Sequence, residues 1–373
     1  TYDDGDSVYA LLMLAPPLVE ALAPRPREVV FIIDTSGSMS GTSMQQARAA
    51  LKLGLRSLGP DDRFNLIRFA SDSERLFAES EPSYPAYLQE AEEFIDELSA
   101  DGGTVMAPAL SMAMNLPPRD DLLRQIVFVT DGSVGNEHEL LLQVGDQLRD
   151  ARLFTVSIGS APNTWFMRKA AEIGRGTHTH IGRVDEVEER IRSMWKRIEK
   201  PAVENICVDW GMDAEFYPEV IPDLYAGEPL WIQARLPAEP REVMVCGELD
   251  GQYWEMESRL LPASGEADLG RLWARSKIEA LEDSRIFGAD PEVIRQQAEK
   301  RGRICRSPEE GRDLGHSCSP RSGGFDCLNQ HLAVWRFLKI VKGGDKKFVL
   351  FPHAVEHRIH LRKGGNLNIY SPH

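Results

Sequence analysis

Residues 28–38 read EVVFIIDTSGS, an apolar run that changes abruptly into a polar turn. The β-branched and aromatic residues 29–33 are typical of a strand that is buried on both faces of a sheet. Asp34, Ser36 and Ser38 follow at alternate positions, so one carboxylate and two hydroxyls can converge beyond the strand. Oxygen donors at this spacing suit a hard divalent cation. Alone the pattern is only moderately specific, because Asp, Ser and Gly are also ordinary turn and capping residues.

Two later segments supply further oxygen donors in the same setting. Thr104 follows a glycine-rich turn and precedes a helix that helical spacing predicts over residues 105–115. Asp131 follows a second apolar strand, residues 125–130, and stands before a glycine. In a parallel sheet covered by helices, the carboxyl ends of the strands share one edge, and ligands bind there. The sequence therefore predicts one site from five residues: Asp34, Ser36, Ser38, Thr104 and Asp131.

Strand and helix patterns alternate between residues 28 and 200. Apolar residues recur at helical spacing around Leu51 and over residues 88–98, whereas residues 63–69 alternate as a strand. The same alternation continues to a last helix that begins near Val184. Such a pattern predicts an α/β fold with a doubly wound, mostly parallel sheet of six strands and right-handed crossovers.

The segments before and after residues 28–200 have different sequence patterns. Residues 201–265 read as short strands between Pro and Gly turns, which predicts a small antiparallel β domain. Helical spacing returns over residues 266–302, where Asp290-Pro291 is the predicted start of a second helix. Residues 1–27 hold one strand-like stretch and a proline-rich linker. Residues 303–373 form an atypical, aperiodic tail; disorder is the first interpretation, and a zinc site built from its cysteines and histidines is the alternative.

Composition limits the classes of function. The chain has 373 residues and a formal net charge of −15, so nucleic acid and anionic membranes would repel it. No run approaches the roughly 20 apolar residues of a membrane span. Without a start methionine or a signal peptide, the chain is expected to be a fragment of a longer protein. Five cysteines without closely spaced metal-binding pairs predict neither a dense disulfide framework nor a structural zinc site.

The five oxygen donors, in this order, resemble the metal-ion-dependent adhesion site of the von Willebrand factor type A domain. The family pattern is Asp-x-Ser-x-Ser on the first loop, Thr on the second and Asp on the third, and the sequence matches all five positions. Over roughly residues 8–300 the chain also resembles bacterial proteins related to the inter-alpha-trypsin inhibitor heavy chains, including marine proteobacterial sortase target proteins. A β domain precedes the type A domain in that family, so the resemblance implies that residues 1–27 are its remnant and a linker, followed by a type A domain over residues 28–200.

The resemblance also implies a function. The five residues would hold Mg²⁺ or Mn²⁺ in an adhesion-type, protein-binding module that captures an Asp or Glu carboxylate of another protein. Magnesium takes six oxygens, so three hydroxyls and one or two carboxylates leave at least one position open to water or to a partner. The family further implies an extracytoplasmic or cell-surface location in a bacterium, and it implies that the last helix, residues 184–196, is mobile.

Two other classes of function compete with this one. An intracellular type A module that assembles a larger complex would use the same metal site, and it stays an alternative. A metal-dependent hydrolase is the least favoured class, because Ser36 stands where aspartyl-phosphate enzymes need a second acid and no Gly-x-Ser-x-Gly motif surrounds it. His178 and His180 alternate on one strand face and could bind a metal, although a surface pair of polar histidines is the simpler interpretation. We therefore expect no enzyme activity.

Overall fold

The structure is a computed structural model that describes residues 1–3, 5–15, 26–119, 121–131, 135–159, 163–199, 203–225, 228–240, 242–249, 251–262, 269–290 and 358–360. In chain order the strands are β1 (Tyr2–Asp3), β2 (Val8–Leu14), β3 (Arg27–Asp34), β4 (Arg63–Phe69), β5 (Ser73–Arg75), β6 (Glu81–Pro82), β7 (Leu123–Thr130), β8 (Arg152–Ile158), β9 (His178–Ile181), β10 (Val203–Asp209), β11 (Glu215–Tyr217), β12 (Leu230–Leu236), β13 (Val243–Leu249), β14 (Gln252–Ser258) and β15 (Arg358–His360). The α-helices are α1 (Thr42–Arg56), α2 (Pro85–Glu97), α3 (Met106–Met114), α4 (Glu137–Gln147), α5 (Thr164–Ile173), α6 (Val187–Ile198) and α7 (Leu269–Asp283). The chain divides into two compact units, residues 23–201 and residues 1–22 together with 202–373.

The unit of residues 23–201 is built on a seven-stranded sheet of order β5-β4-β3-β7-β8-β9, with β6 paired to β4. Strands β4, β3, β7, β8 and β9 are parallel, and β5 and β6 are antiparallel to β4. Helix α1 contacts α2 and α6, whereas α4 contacts α3 and α5, so the helices form two groups, as a doubly wound sheet requires. The predicted fold class is confirmed. The predicted count of six strands is corrected to seven, because β5 and β6, with three and two residues, are too short to leave a periodic pattern.

The central strand β3 is buried along its whole length, since it lies between β4 and β7 and helices cover it. Helix α1 approaches this strand closely at Gly54. A Cβ atom added there would lie 2.7 Å from Cε1 of Phe31 and 2.9 Å from the ring of Trp195 in α6. The glycine therefore lets α1 pack closely on the middle of β3 and on α6.

The other unit contains two four-stranded antiparallel sheets, β1-β2-β12-β11 and β10-β13-β14-β15. Both sheets contribute to one apolar core, which includes Leu12, Ile232 and Val245. Helix α7 adds a second cluster, in which the buried Trp273 packs against the rings of Tyr9 and Tyr217. The alternation of buried and exposed residues along β13 is the pattern expected for a sheet with one face on the core.

The strand near the start of the chain pairs with a strand that follows the unit of residues 23–201. Strand β2 pairs antiparallel with β12 over seven residues, from Val8 opposite Leu236 to Leu14 opposite Leu230. Residues 1–22 therefore belong to the same unit as residues 202–373. No local pattern in a sequence records a pairing between strands so far apart along the chain. The predicted domain boundaries, including residues 1–27 as a linker and remnant, stay predictions.

A disulfide joins Cys207 in β10 to Cys246 in β13, with the Cα atoms 5.1 Å apart. The two residues stand opposite each other in the strand register. Cysteine spacing could not predict this bond, because the strand pairing rather than the local sequence brings the two residues together. The predicted helix from Pro291 and the zinc alternative in the tail lie outside the described residues. Within the described parts of the chain, no helix has the length and apolar character needed to cross a bilayer.

Candidate metal centre

Asp34 is the last residue of β3 and is fully buried at the carboxyl edge of the sheet. The backbone N–H of Ser36 donates a hydrogen bond to its Oδ1 at 2.8 Å. The hydroxyl of Thr130, the last residue of β7, donates to its Oδ2 at 2.5 Å. The first bond turns the loop back over the strand, and the second ties the ends of two neighbouring strands together. The Asp34 carboxylate is therefore held in one orientation.

The two serines of the first loop lie side by side. The Oγ atoms of Ser36 and Ser38 are 3.0 Å apart, and Ser36 is almost completely buried. Residues Gly37–Met39 form one 3₁₀ turn, which brings the alternate side chains of the loop to the same side. Each hydroxyl oxygen carries lone pairs that a cation can use. The loop thus presents two neutral oxygen ligands next to the Asp34 carboxylate.

Backbone hydrogen bonds dock the second loop onto the first. The N–H of Asp101 donates to the carbonyl oxygen of Thr35 at 2.8 Å, and the N–H of Gly37 donates to the carbonyl oxygen of Gly102 at 3.1 Å. These bonds bring the segment that carries Thr104 beside the first loop. The strand order alone predicts a shared edge, and the hydrogen bonds specify how the two loops meet there.

Asp131 directly follows β7. Because Ile33 of β3 stands opposite Val129 of β7, Asp131 emerges at the same edge of the sheet as Asp34. The Oδ1 atom of Asp131 is buried, and it has no hydrogen-bond partner among the described residues. An unpaired buried carboxylate oxygen is costly unless a partner such as a cation compensates it. This orphaned oxygen is the clearest sign in the site of a missing positive charge.

The electrostatics of the two carboxylates agree with this interpretation. Burial raises the pKa of Asp34 above its ordinary value, and the nearby charge of Asp131 adds to this rise. Hydrogen bonds from Ser36 and Thr130 act in the opposite direction and lower the pKa. Two carboxylates that destabilise each other in a buried site are the arrangement that a divalent cation relieves.

The donor set is of the hard, oxygen-only kind. Among the described residues, no group of three or more His, Cys, Asp or Glu side chains is placed to hold a metal ion. The structure joins Asp34, Ser36 and Ser38 through hydrogen bonds within one loop, whereas register and loop docking bring Asp131 and Thr104 to the same edge. Their role as metal ligands stays a prediction. Thr130 was not predicted, because it reads as an ordinary strand residue.

Comparisons with known proteins point to one family. The sequence profile described as von Willebrand factor type A domain matches residues 27–180. A von Willebrand factor A domain-containing protein of Dictyostelium discoideum is 30% identical over 227 residues, which are 60% of this chain and 24% of that protein. An inter-alpha-trypsin inhibitor heavy chain of Homo sapiens is 26% identical over 312 residues, which are 75% of this chain and 33% of that protein.

A solved structure extends the comparison to the fold. The structure described as von Willebrand factor type A from Catenulispora acidiphila aligns with a TM-score of 0.56 at 17% identity, covering 80% of this chain and 83% of that one. This similarity shows a shared fold and nothing finer. The chain spans about a quarter to a third of the length of the curated relatives given above.

Proposed function

Because residues 27–180 form a von Willebrand factor type A domain, we propose that the chain is a metal-dependent protein-binding module of the adhesion type. Five residues would hold Mg²⁺ or Mn²⁺: Asp34, Ser36, Ser38, Thr104 and Asp131. The observation that carries the proposal is the buried Oδ1 atom of Asp131, which has no hydrogen-bond partner among the described residues and stands at the same edge as the buried Asp34. A divalent cation would satisfy that oxygen and neutralise the repulsion between the two carboxylates.

The partner follows from the coordination chemistry. Magnesium prefers six oxygen ligands in octahedral geometry. Both oxygens of Asp34 already accept hydrogen bonds, so Asp131 is the carboxylate whose Oδ1 is free to bind the ion directly. With one direct carboxylate and neutral hydroxyls, the ion keeps net positive charge and an open position. We propose that an Asp or Glu side chain of another protein completes the coordination.

The rest of the chain supports a location outside the cytoplasm and a partner other than nucleic acid. The disulfide between Cys207 and Cys246 fits an oxidising compartment, where such bonds persist. The net charge of −15 disfavours nucleic acid as a partner. We therefore propose an extracytoplasmic, non-enzymatic binding module.

Replacement of Asp34 tests the metal site. In Asp34→Ala, the loss of the buried carboxylate should abolish Mg²⁺ binding measured by isothermal titration calorimetry, while circular dichroism stays unchanged because Asp34 is the last residue of β3 and no apolar side chain of the core is removed. Asp61→Ala is the matched control, since Asp61 is exposed and precedes β4 at the opposite edge of the sheet. Equal Mg²⁺ binding by Asp34→Ala and by the wild type would refute the proposal.

A further inference from the structure

Two histidines of β9 converge on one buried hydroxyl of β8. The Oγ atom of Ser157 lies 2.9 Å from Nε2 of His178 and 3.0 Å from Nδ1 of His180. His178 and His180 lie on the same face because side chains alternate along a strand, and Ser157 stands opposite His180 in the register. Ser157 is fully buried, whereas His180 is exposed to solvent. Two imidazole nitrogens, one of them on an exposed side chain, thus face one oxygen atom.

The hydrogen bonds of this cluster restrict where the protons of Ser157 and the two rings can lie. A hydroxyl carries one proton, so Ser157 can donate to only one of the two rings, and the other ring must donate its own N–H to the serine oxygen. The ring that accepts the serine proton does so through an unprotonated nitrogen. Burial, together with the neighbouring charges of His180 and Arg168, lowers the pKa of His178 to about 4. This ring stays neutral at neutral pH, and neutral imidazole is the form that binds metal ions.

We propose that His178 and His180 form a second metal site, separate from the oxygen site, for a borderline divalent transition metal such as Zn²⁺. Zinc binds imidazole nitrogens at about 2.0–2.1 Å, so in a tetrahedral site the two nitrogens lie about 3.3 Å apart. Both nitrogens lie about 3 Å from the same oxygen, and rotation about the side-chain torsions would adjust the distance between them. The ring N–H that faces Ser157 moves to the other nitrogen of its ring, and the freed lone pair binds the metal. The serine hydroxyl and water fill the remaining positions.

The two sites differ in ligand chemistry and in place. Imidazole selects zinc, copper and nickel, whereas carboxylate and hydroxyl oxygens suit magnesium and manganese. Strand β9 is the edge strand of the sheet, and β7 and β8 separate it from β3. Arg168 is the nearby positive charge that would oppose a metal, but its Nε lies 3.5 Å from Oε1 of Glu172, which offsets part of that charge. The inference does not depend on the proposed adhesion function.

Zinc titration of the full chain tests the second site. Isothermal titration calorimetry with ZnCl₂, in buffer with excess MgCl₂ to fill the oxygen site, should show one zinc equivalent fewer for His180→Ala and for His178→Ala than for the wild type. His138→Ala is the matched control, because His138 is an exposed histidine of α4 in the same unit, and it should keep the wild-type number. Histidines and cysteines beyond residue 300 are present in every variant, so their zinc binding cancels in the difference.

Two further measurements distinguish zinc bound at β9 from zinc bound elsewhere in the protein. Asp34→Ala should retain the histidine-dependent equivalent, which separates zinc at β9 from zinc at the oxygen site. In the wild type, zinc should protect His180 but not His138 from diethyl pyrocarbonate, as measured by peptide mass spectrometry. His180 is exposed, so His180→Ala is expected to fold even where His178→Ala does not, and thermal denaturation checks this. An unchanged number of zinc equivalents in His180→Ala, or equal modification of His180 with and without zinc, would overturn the proposal.

Discussion

Asp34 and Asp131 place two carboxylates at the ends of neighbouring strands, and among the described residues neither forms an ion pair. The pKa of Asp34 is raised, so the folded protein holds the Asp34 proton more tightly than the unfolded chain does. Consequently the free energy of unfolding decreases as the pH rises from the ordinary range of an aspartate, about 3.9, through the raised value. The buried Asp34 carboxylate therefore lowers the stability of the fold at neutral pH.

Asp34→Asn should separate stability from binding. The amide can still accept from the N–H of Ser36 and can donate to the hydroxyl of Thr130, but it removes the buried charge. We expect the metal-free variant to be more stable than the wild type by about 0.5–2 kcal/mol, the usual range for one stabilising substitution. It should also lose any stabilisation by Mg²⁺. Urea denaturation in chelator and in Mg²⁺ measures both effects, and a variant less stable than the wild type in chelator would contradict this account.

Stabilisation by Mg²⁺ should depend on pH. A protonated Asp34 carboxyl no longer attracts the cation, so the rise in Tm on adding Mg²⁺ should be full above the raised pKa and should vanish as the pH falls below it. Thermal denaturation with Mg²⁺ and with chelator across this range gives the difference directly. Asp34→Asn is the control and should show no Mg²⁺ effect at any pH. A constant Mg²⁺ effect in the wild type would show that Asp34 does not control binding.

At the scale of single residues, the sequence predicted some of the neighbours in the site and missed another. Alternation after a buried strand was enough to single out Asp34, Ser36 and Ser38 as neighbours. It was not enough to single out Thr130, because strand propensity alone explains a threonine in a strand of β-branched residues. Its hydroxyl becomes important only when the register of β3 and β7 places it against Asp34.

At the scale of elements, helix α1 and strand β3 are fitted to each other through Gly54. An alanine there would place its Cβ 2.7 Å from the Phe31 ring, an overpacking that typically costs about 1–3 kcal/mol. Helix propensity alone predicts the opposite, a gain of about 1 kcal/mol. We expect Gly54→Ala to be destabilising, because the contact lies in a fully buried layer.

Urea denaturation of Gly54→Ala measures the net effect. The control is Gln45→Ala, an exposed position of the same helix, which should change stability by no more than about 0.5 kcal/mol. A gain of about 1 kcal/mol in Gly54→Ala would mean that the helix moves away freely and that the close packing is not needed.

The elements that were predictable share one property, a long and regular pattern. The five parallel strands and the amphipathic helices of residues 28–200 follow from their periodicity. Strands β5 and β6 did not, because two or three residues carry no period. The 3₁₀ turn Val184–Glu186 also differs from the prediction, which began the last helix at Val184; the structure begins α6 at Val187.

At the scale of the whole molecule, each unit has its own buried core. Trp273 of α7 is fully buried in the unit of residues 1–22 and 202–373, and its Nε1–H donates to the carbonyl oxygen of Glu215 at 2.9 Å. The rings of Tyr9 and Tyr217 pack beside it. Strand β2 and helix α7 therefore contribute side chains to the same buried cluster.

Trp273→Ala should destabilise that unit by about 3–5 kcal/mol, the usual cost of removing a buried aromatic side chain. The Mg²⁺ affinity of the other unit should not change, because its loops keep their own hydrogen bonds. Calorimetric unfolding and Mg²⁺ titration of the same sample measure the two effects. Val220→Ala, at a strongly exposed position of the same unit, is the control. A Trp273→Ala protein that loses Mg²⁺ binding would show that the metal site depends on the β unit.

The pairing of β2 with β12 has a consequence for biosynthesis. Strand β2 leaves the ribosome first, but its partner strand is translated roughly 200 residues later. At about 5–20 residues per second, the strand waits on the order of 10–40 s with its apolar side chains uncovered. The unit of residues 23–201 lies between the two strands in the chain, so it can fold during this interval. Strand β2 is therefore expected to join its sheet only after that unit has been translated.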